Sequence, residues 1–342
     1  MGAKQALHKN LRKRGFLMPN RGLFVQPPDL LCRRAGGYHG EEKPWVPIVK
    51  IRWPFKGCVV VAKGFFDGSW GTAKAGEGKF CSLASITAPL ETDAWGSFEQ
   101  SWAKVLAEYD APYLHMAKLY QFAKPFVKAK GWSEERRASF LGDLLRVFYA
   151  LIAQPQVCAR ATTVPLNDHA RVAATHPGIL PFPECLCTFW CFSEICGFYP
   201  DDPFALVFDR GEPFFHTINH VWERRRKADG DARLRRILEL GQGDMRVSLP
   251  LQAADLFAWE INRLWTHTEL RASSTLRVFV DEMRSVSNIP MPDKLEGEGV
   301  VLTTQNKRWK YLDFEYFVQC VQGQHGEDGK KFLEPFSLCK RK

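Results

Sequence analysis

Short apolar runs of strand length alternate with longer stretches of helical period along most of this chain, and that alternation admits few architectures. Residues 59–67 (VVVAKGFFD) are apolar, β-branched and aromatic, as expected of a strand buried on both faces, and they end at Asp67 before a turn-like Gly68-Ser69. Residues 80–88 alternate well enough to be its antiparallel partner. Residues 204–209 repeat the first pattern, a short buried run ending at Asp209 and followed by a polar turn. Residues 156–164 are strand-like, and residues 244–248 are expected to form a last short strand. Helical spacing fills the intervals. One helix opens at the capping box Ser97-x-x-Gln100 and carries Phe98, Trp102, Val105 and Tyr109 on one side. Others start at Ser133 and at Pro183, and another covers residues 214–227. The order predicts an α/β sheet covered by helices on both faces, in which functional groups gather where strands end.

The stretch from Ser248 to Trp265 sharpens this expectation. Ser248 is a suitable cap and Pro250 fits a first helical turn, where its missing N–H costs nothing. The rest is almost wholly apolar except for Gln252 and Asp255, one turn apart, and Glu260 on another face. Asp255 lies among Ala253, Ala254, Leu256 and Phe257, where a charge is costly to bury unless a cation answers it. A solvated aspartate on an outer helix face is the plain reading. The sharper one is a metal-binding carboxylate facing the sheet, with Asp67 and Asp209 as its partners. Carboxylates held close together repel by roughly 1–4 kcal/mol per pair at surface-like dielectric. Mg2+ or Mn2+, which take hard oxygen ligands, would relieve that repulsion and could activate water against a phosphodiester. Gln252 would then orient a water or Asp255 itself.

These residues carry a resemblance. The segment 249–260 resembles the C-terminal Gln-x-Ala-Asp-Leu-x-Ala helix of a widespread bacterial family, the domain of unknown function 3800, regarded as ribonuclease H-like. Phe65-Phe-Asp-Gly-Ser69 resembles that family's opening strand motif, usually Asp-Glu-Ser; Val207-Phe-Asp-Arg210 resembles a later strand, and Tyr113-Leu-His-Met116 its intervening histidine segment. The resemblance covers roughly residues 58–265. It implies a ribonuclease H-like mixed sheet with Asp67, Asp209 and Asp255 as catalytic metal ligands, supported by Ser69 and His115. This chain departs from the motif at Gly68, where the family has Glu. Glu99, Glu108 and Glu212 are candidate replacements for that fourth carboxylate. The resemblance establishes no reaction; the acidic trio leads us to expect either a Mg2+/Mn2+-dependent nuclease acting on RNA, DNA or a hybrid, or a module that kept the fold, lost activity and binds nucleic acid or protein.

Charge and composition narrow the rest. The net charge is +9, but residues 1–57 hold 12 Lys/Arg against 3 Asp/Glu, leaving 35 of each for residues 58–342. The basic excess therefore belongs to an N-terminal arm rich in Gly, Pro and Arg, expected to be flexible and either a solvated leader or a phosphate-binding tail. Residues 266–342 are expected to add a partly irregular helical extension, with a helix around 276–285. No apolar run reaches the ~20 residues of a membrane span, and the basic N-terminus lacks the apolar stretch of a secretory signal. Ten cysteines without regular spacing point to reduced thiols in a cytoplasm. Rival metal readings are weaker. His216-x-x-x-His220 has a zinc-like spacing but no third ligand in view, and Cys185, Cys187, Cys191 and Cys196 lack the CxxC pattern and read as core. The basic run 223–227 closes a helix, where the dipole favours cations anyway.

Overall fold

The computed structural model describes residues 62–72, 79–226, 232–266, 299–304 and 309–333. Its frame is a mixed sheet of seven strands in the order β5-β4-β1-β2-β3-β6-β7 among the described residues. The strands are β1 (Ala62–Thr72), β2 (Lys79–Pro89), β3 (Cys158–Pro165), β4 (Phe204–Asp209), β5 (Ile237–Gly243), β6 (Gly299–Thr304) and β7 (Trp309–Asp313). β4 runs parallel to both β1 and β5; every other pairing is antiparallel.

Helices cover both faces, and the alternation of side chains along the strands sets which residues meet them. On one face, Phe65, Ala84, Ile86 and Val207 pack against α1 (Ala94–Glu108), α2 (Met116–Tyr120), α3 (Glu134–Ile152) and α8 (Leu249–Thr266). On the other, Phe66, Leu83, Leu206 and Phe208 meet α4 (Leu166–Thr175), α5 (Pro183–Phe198), α6 (Pro213–Arg226) and α9 (Phe314–Val321). The short α7 (Ala232–Arg235) and the closing α10 (Gly326–Leu333) add Leu234 and Leu333 to that second core. Ser133 caps α3 as expected, its Oγ accepting from the Arg136 N–H at 3.2 Å.

Several boundaries differ from the expectation. β1 does not stop at Asp67: it continues through Gly68 and Ser69 to Thr72, paired with β2 throughout. Its parallel pairing with β4, however, ends at Phe66–Phe208, so Asp67 still marks the edge of the parallel ladder. α1 begins at Ala94, a turn before the proposed capping box, and Ser97 Oγ instead bonds the Asp93 carboxylate. The last core strand is residues 237–243 and not 244–248, which turn into α8. Only Ile237 and Gly241 of that strand are fully buried, as befits an edge strand that lacks clean alternation. The C-terminal extension is not solely helical, because β6 and β7 widen the sheet beside β3. The N-terminal arm and the helix expected around 276–285 lie outside the described residues.

Candidate functional site

The acidic site follows from register. Phe65 and Val207 are paired across β1 and β4 and face α8, so Asp67 and Asp209, two residues further along each strand, face it too. Asp255 comes to them from α8 and is only 6 % exposed, while Asp67 is 3 % exposed. Glu212 completes the group from a different direction. Gly211 adopts a left-handed φ of 89°, which reverses the chain after β4, and the Glu212 N–H returns to the Asp209 carbonyl at 3.3 Å. The Glu212 carboxylate then lies beside Gly68, on the α6 side of β1: a Cβ built on Gly68 would fall 2.6 Å from Glu212 Oε2. That oxygen is wholly buried and has no hydrogen-bond partner.

Backbone donors fix two of the carboxylates. The Met116 N–H, at the start of α2, donates to Asp255 Oδ2 at 2.8 Å, and the Met245 N–H donates to Asp209 Oδ1 at 3.1 Å. His115 places Nδ1 3.7 Å from Asp255 Oδ2; that nitrogen is buried and makes no hydrogen bond. Among the described residues no Lys or Arg forms an ion pair with Asp67, Asp209, Asp255 or Glu212. The electrostatic consequence is large. Burial, then Asp255, Glu212 and Asp209, hold Asp67 well above the usual carboxylate range, partly offset by the Gly68 N–H. Burial and the neighbouring Asp209 and Asp255 push Glu212 up to about 7. Burial raises Asp209 as well, against the Arg210 and Met245 backbone donors.

The chemistry of this donor set, all oxygen with one wholly buried and unpaired, suits a hard divalent cation. Its arrangement is looser than a closed ligand shell: no group of three His, Cys, Asp or Glu side chains converges on a metal position among the described residues. The carboxylates nonetheless act on one another's charge, Asp67 feeling Asp255, Glu212 and Asp209.

Other expected site residues have different parts. Gln252 is fully buried and committed to the protein: Oε1 accepts from Trp102 Nε1 at 3.0 Å and from the Leu114 N–H at 2.9 Å, while Nε2 donates to the Met245 carbonyl at 2.8 Å. It is therefore a brace joining α1, the His115 segment and the loop after β5. Ser69 offers its backbone, not its hydroxyl. Its carbonyl accepts from Asn262 Nδ2 at 3.1 Å, and the same nitrogen reaches Ser82 Oγ at 3.2 Å. Asn262 lies seven residues after Asp255, two turns along the same helical face, and nothing in local pattern singled it out. Replacing it with Ala leaves the buried Ser69 carbonyl without that donor, and we expect a loss of about 2 kcal/mol in urea unfolding.

Glu99 and Glu108 are not brought to the site. Glu99 has Lys63 as its charge partner, toward the start of β1, and Glu108 pairs with Lys104 at 3.9 Å on the surface. His216 and His220 gain no third donor among the described residues. Cys187, Cys191 and Cys196 are buried in the core under α5, and burial drives the Cys191 thiol up to about 12. No disulfide joins the described cysteines. Side chains of the basic run from 224 to 227 lie outside those described. No helix among the described residues is long and apolar enough to cross a membrane. Comparison with known proteins returned no matching family model, no matching curated protein and no matching solved structure.

Proposed function

We propose that the fold is ribonuclease H-like, of the domain of unknown function 3800 kind, and that the acidic pocket serves Mg2+- or Mn2+-dependent cleavage of phosphodiester bonds in nucleic acid. The observation that carries this reading is the meeting of Asp67 and Asp209 at the end of the parallel ladder, opposite a buried Asp255, without a cationic partner among the described residues. Such a set of charges is stable only when protonated or when answered by cations. A bound divalent ion would supply Lewis-acid activation of water and neutralise charge on the leaving oxygen. The chain's own part is positional. Asp67, Asp209 and Asp255 would hold the ion, the Met116 and Met245 N–H groups aim two of them, and His115 stands beside Asp255.

A second reading is a ribonuclease H-like module that binds nucleic acid or protein without cleaving it. The lack of three converging donors among the described residues favours it on side-chain positions alone, and Gly68 is consistent with it. One experiment separates the two. The full chain is incubated with labelled single-stranded RNA, single-stranded DNA and an RNA–DNA hybrid, with millimolar Mg2+ or Mn2+ or with EDTA, and its thermal unfolding is followed under the same conditions. The nuclease reading expects cation-dependent cleavage of at least one substrate and a rise in Tm. A rise in Tm without cleavage supports the binding module. Neither a rise nor cleavage removes the cation site.

A further inference from the structure

The acidic cluster repels the phosphodiester it is proposed to cut, so a substrate strand must be held by something else. The segment from Tyr113 to Trp132 is placed to do this. It carries four lysines (Lys118, Lys124, Lys128 and Lys130) and no Asp or Glu, in a body whose basic and acidic residues balance only with these lysines counted. It starts at the acidic cluster, because the Met116 N–H is bonded to Asp255 and His115 lies beside the same carboxylate. It then runs outward over α8, where Tyr120 stacks on Trp259, one turn beyond Asp255, with ring centroids 5.3 Å apart.

Its cations are interleaved with aromatic rings in a continuous row. Lys128 Nζ lies 5.1 Å from the Phe122 ring centroid, and the Arg137 guanidinium is also 5.1 Å from it. Arg137 in turn lies 4.5 Å from the Tyr120 ring, and Arg263 is 4.9 Å from that ring. Near the pocket, Lys118 Nζ is 5.3 Å from the Tyr113 ring and within hydrogen-bonding distance of its hydroxyl at 3.1 Å. The two arginines are answered by carboxylates, Arg137 by Glu134 and Arg263 by Glu260. Lys124, Lys128 and Lys130 are exposed, and no carboxylate lies within ion-pair distance of them among the described residues. The rings thus hold the row in place while the lysine charges face solvent. Beside the row is a cavity of about 310 Å3 lined by Pro112, Pro125 and Trp132 together with Lys130, Arg136 and one carboxylate, Asp110. Trp132 and the prolines offer a base an apolar surface beside these cations, which favours a nucleotide over an acidic peptide.

We propose that residues 113–137 form a rail for the nucleic-acid backbone, with Lys124, Lys128 and Lys130 contacting phosphates of a strand whose next portion enters the acidic pocket. The inference rests on the nuclease reading for its direction but is tested apart from it. Binding of a fluorescein-labelled 30-mer oligo(dT), and of a duplex of the same length, is measured by anisotropy in EDTA across a salt series. The proteins are the full chain, the triple variant Lys124→Glu/Lys128→Glu/Lys130→Glu, and a control triple on the opposite face, Arg171→Glu/Arg235→Glu/Lys330→Glu. The rail variant is expected to bind at least 10-fold more weakly, with a salt slope shallower by about 2, as for three lost single-strand phosphate contacts. The control, which makes the same change in net charge, is expected to lose less than 2-fold. Equal losses in the two triples would mean that net charge or the basic N-terminal segment governs binding, and would overturn the rail. So would unaltered binding by the rail variant, or wild-type binding to anionic vesicles but to neither oligonucleotide. Asp67→Asn separates the two proposals: in EDTA it should bind at least as tightly as wild type, with one repelling charge removed, while failing to cleave, so an inactive protein that still needs the three lysines leaves the rail standing.

Discussion

Replacing Asp67 with Asn is expected to make the cation-free protein more stable at pH 8 and to abolish its response to Mn2+. The two effects have one cause. Asp67 is buried beside three other carboxylates without a cationic partner among the described residues, so its charge opposes folding. Both Asp67 and Glu212 are raised in the folded state, Glu212 to about 7. For a group raised on folding, the stabilising contribution is fully present below its unfolded value and is lost as pH climbs through the folded one. The wild-type protein in EDTA should therefore weaken steadily from about pH 4 to beyond pH 7. Asn keeps the shape of Asp67 but cannot ionise. It removes one member of each repelling pair, a gain of roughly 1 kcal/mol or more at pH 8 and little at pH 4. Urea unfolding at the two pH values reads this difference directly. Millimolar Mn2+ should raise the Tm of wild type and leave that of the variant unmoved. If the wild type cleaves nucleic acid, the variant should lose at least about 100-fold, equivalent to about 2.7 kcal/mol in transition-state stabilisation. A variant that is less stable at pH 8, or that still responds to Mn2+, would show that Asp67 is structural.

The visibility of that aspartate in the sequence, and the obscurity of its supports, have physical reasons. Asp67, Asp209 and Asp255 each break an apolar run, and an apolar run is a local signal of burial. Once the strands are taken as parallel neighbours, the two-residue period carries both strand aspartates to one face. What faces a helix is not local. Gln252 sits one turn before Asp255, the spacing that suggested a water-orienting role, but its partners Trp102 and Leu114 are 150 and 138 residues away in sequence. Asn262 is tied to Ser69 and Ser82 over similar separations. β5 was misplaced because an edge strand buried at only two of its seven positions shows no alternation to find. β6 and β7 were missed for a related reason: each is a short run within a weakly patterned region, and its identity comes from pairing with β3 and with each other. Glu212 could be named only as one candidate among three glutamates. Its selection depends on the reversal at Gly211 and on the space at Gly68, both features of the folded backbone.

That space is the basis of the second large effect. Gly68→Ala is expected to cost about 3 kcal/mol in stability and to weaken the Mn2+ response together. The new Cβ would stand 2.2 Å from Phe214 Cε2 and 2.6 Å from Glu212 Oε2. The Glu212 carboxylate ends a flexible side chain and can swing aside, but doing so takes it from the Gly68 N–H and from its place next to Asp67. Phe214 has less freedom. Its ring is fully buried against the core under α6 and close to Trp70, with centroids 5.9 Å apart, so it moves only by disturbing its neighbours. Two further variants divide the loss between ring and carboxylate. Phe214→Leu in the Gly68→Ala background should restore part of the stability, because the shorter side chain leaves room for the methyl group. Glu212→Gln alone keeps the packing and removes the charge; it should match or exceed wild-type stability at pH 8 while showing a smaller Mn2+ shift. If Glu212→Gln keeps the full Mn2+ response, the carboxylate beside Gly68 is not part of the cation site, and Gly68 is retained only to admit the Phe214 ring. If it loses the response as Asp67→Asn does, position 68 is vacant so that a carboxylate from the end of β4 can stand in its place.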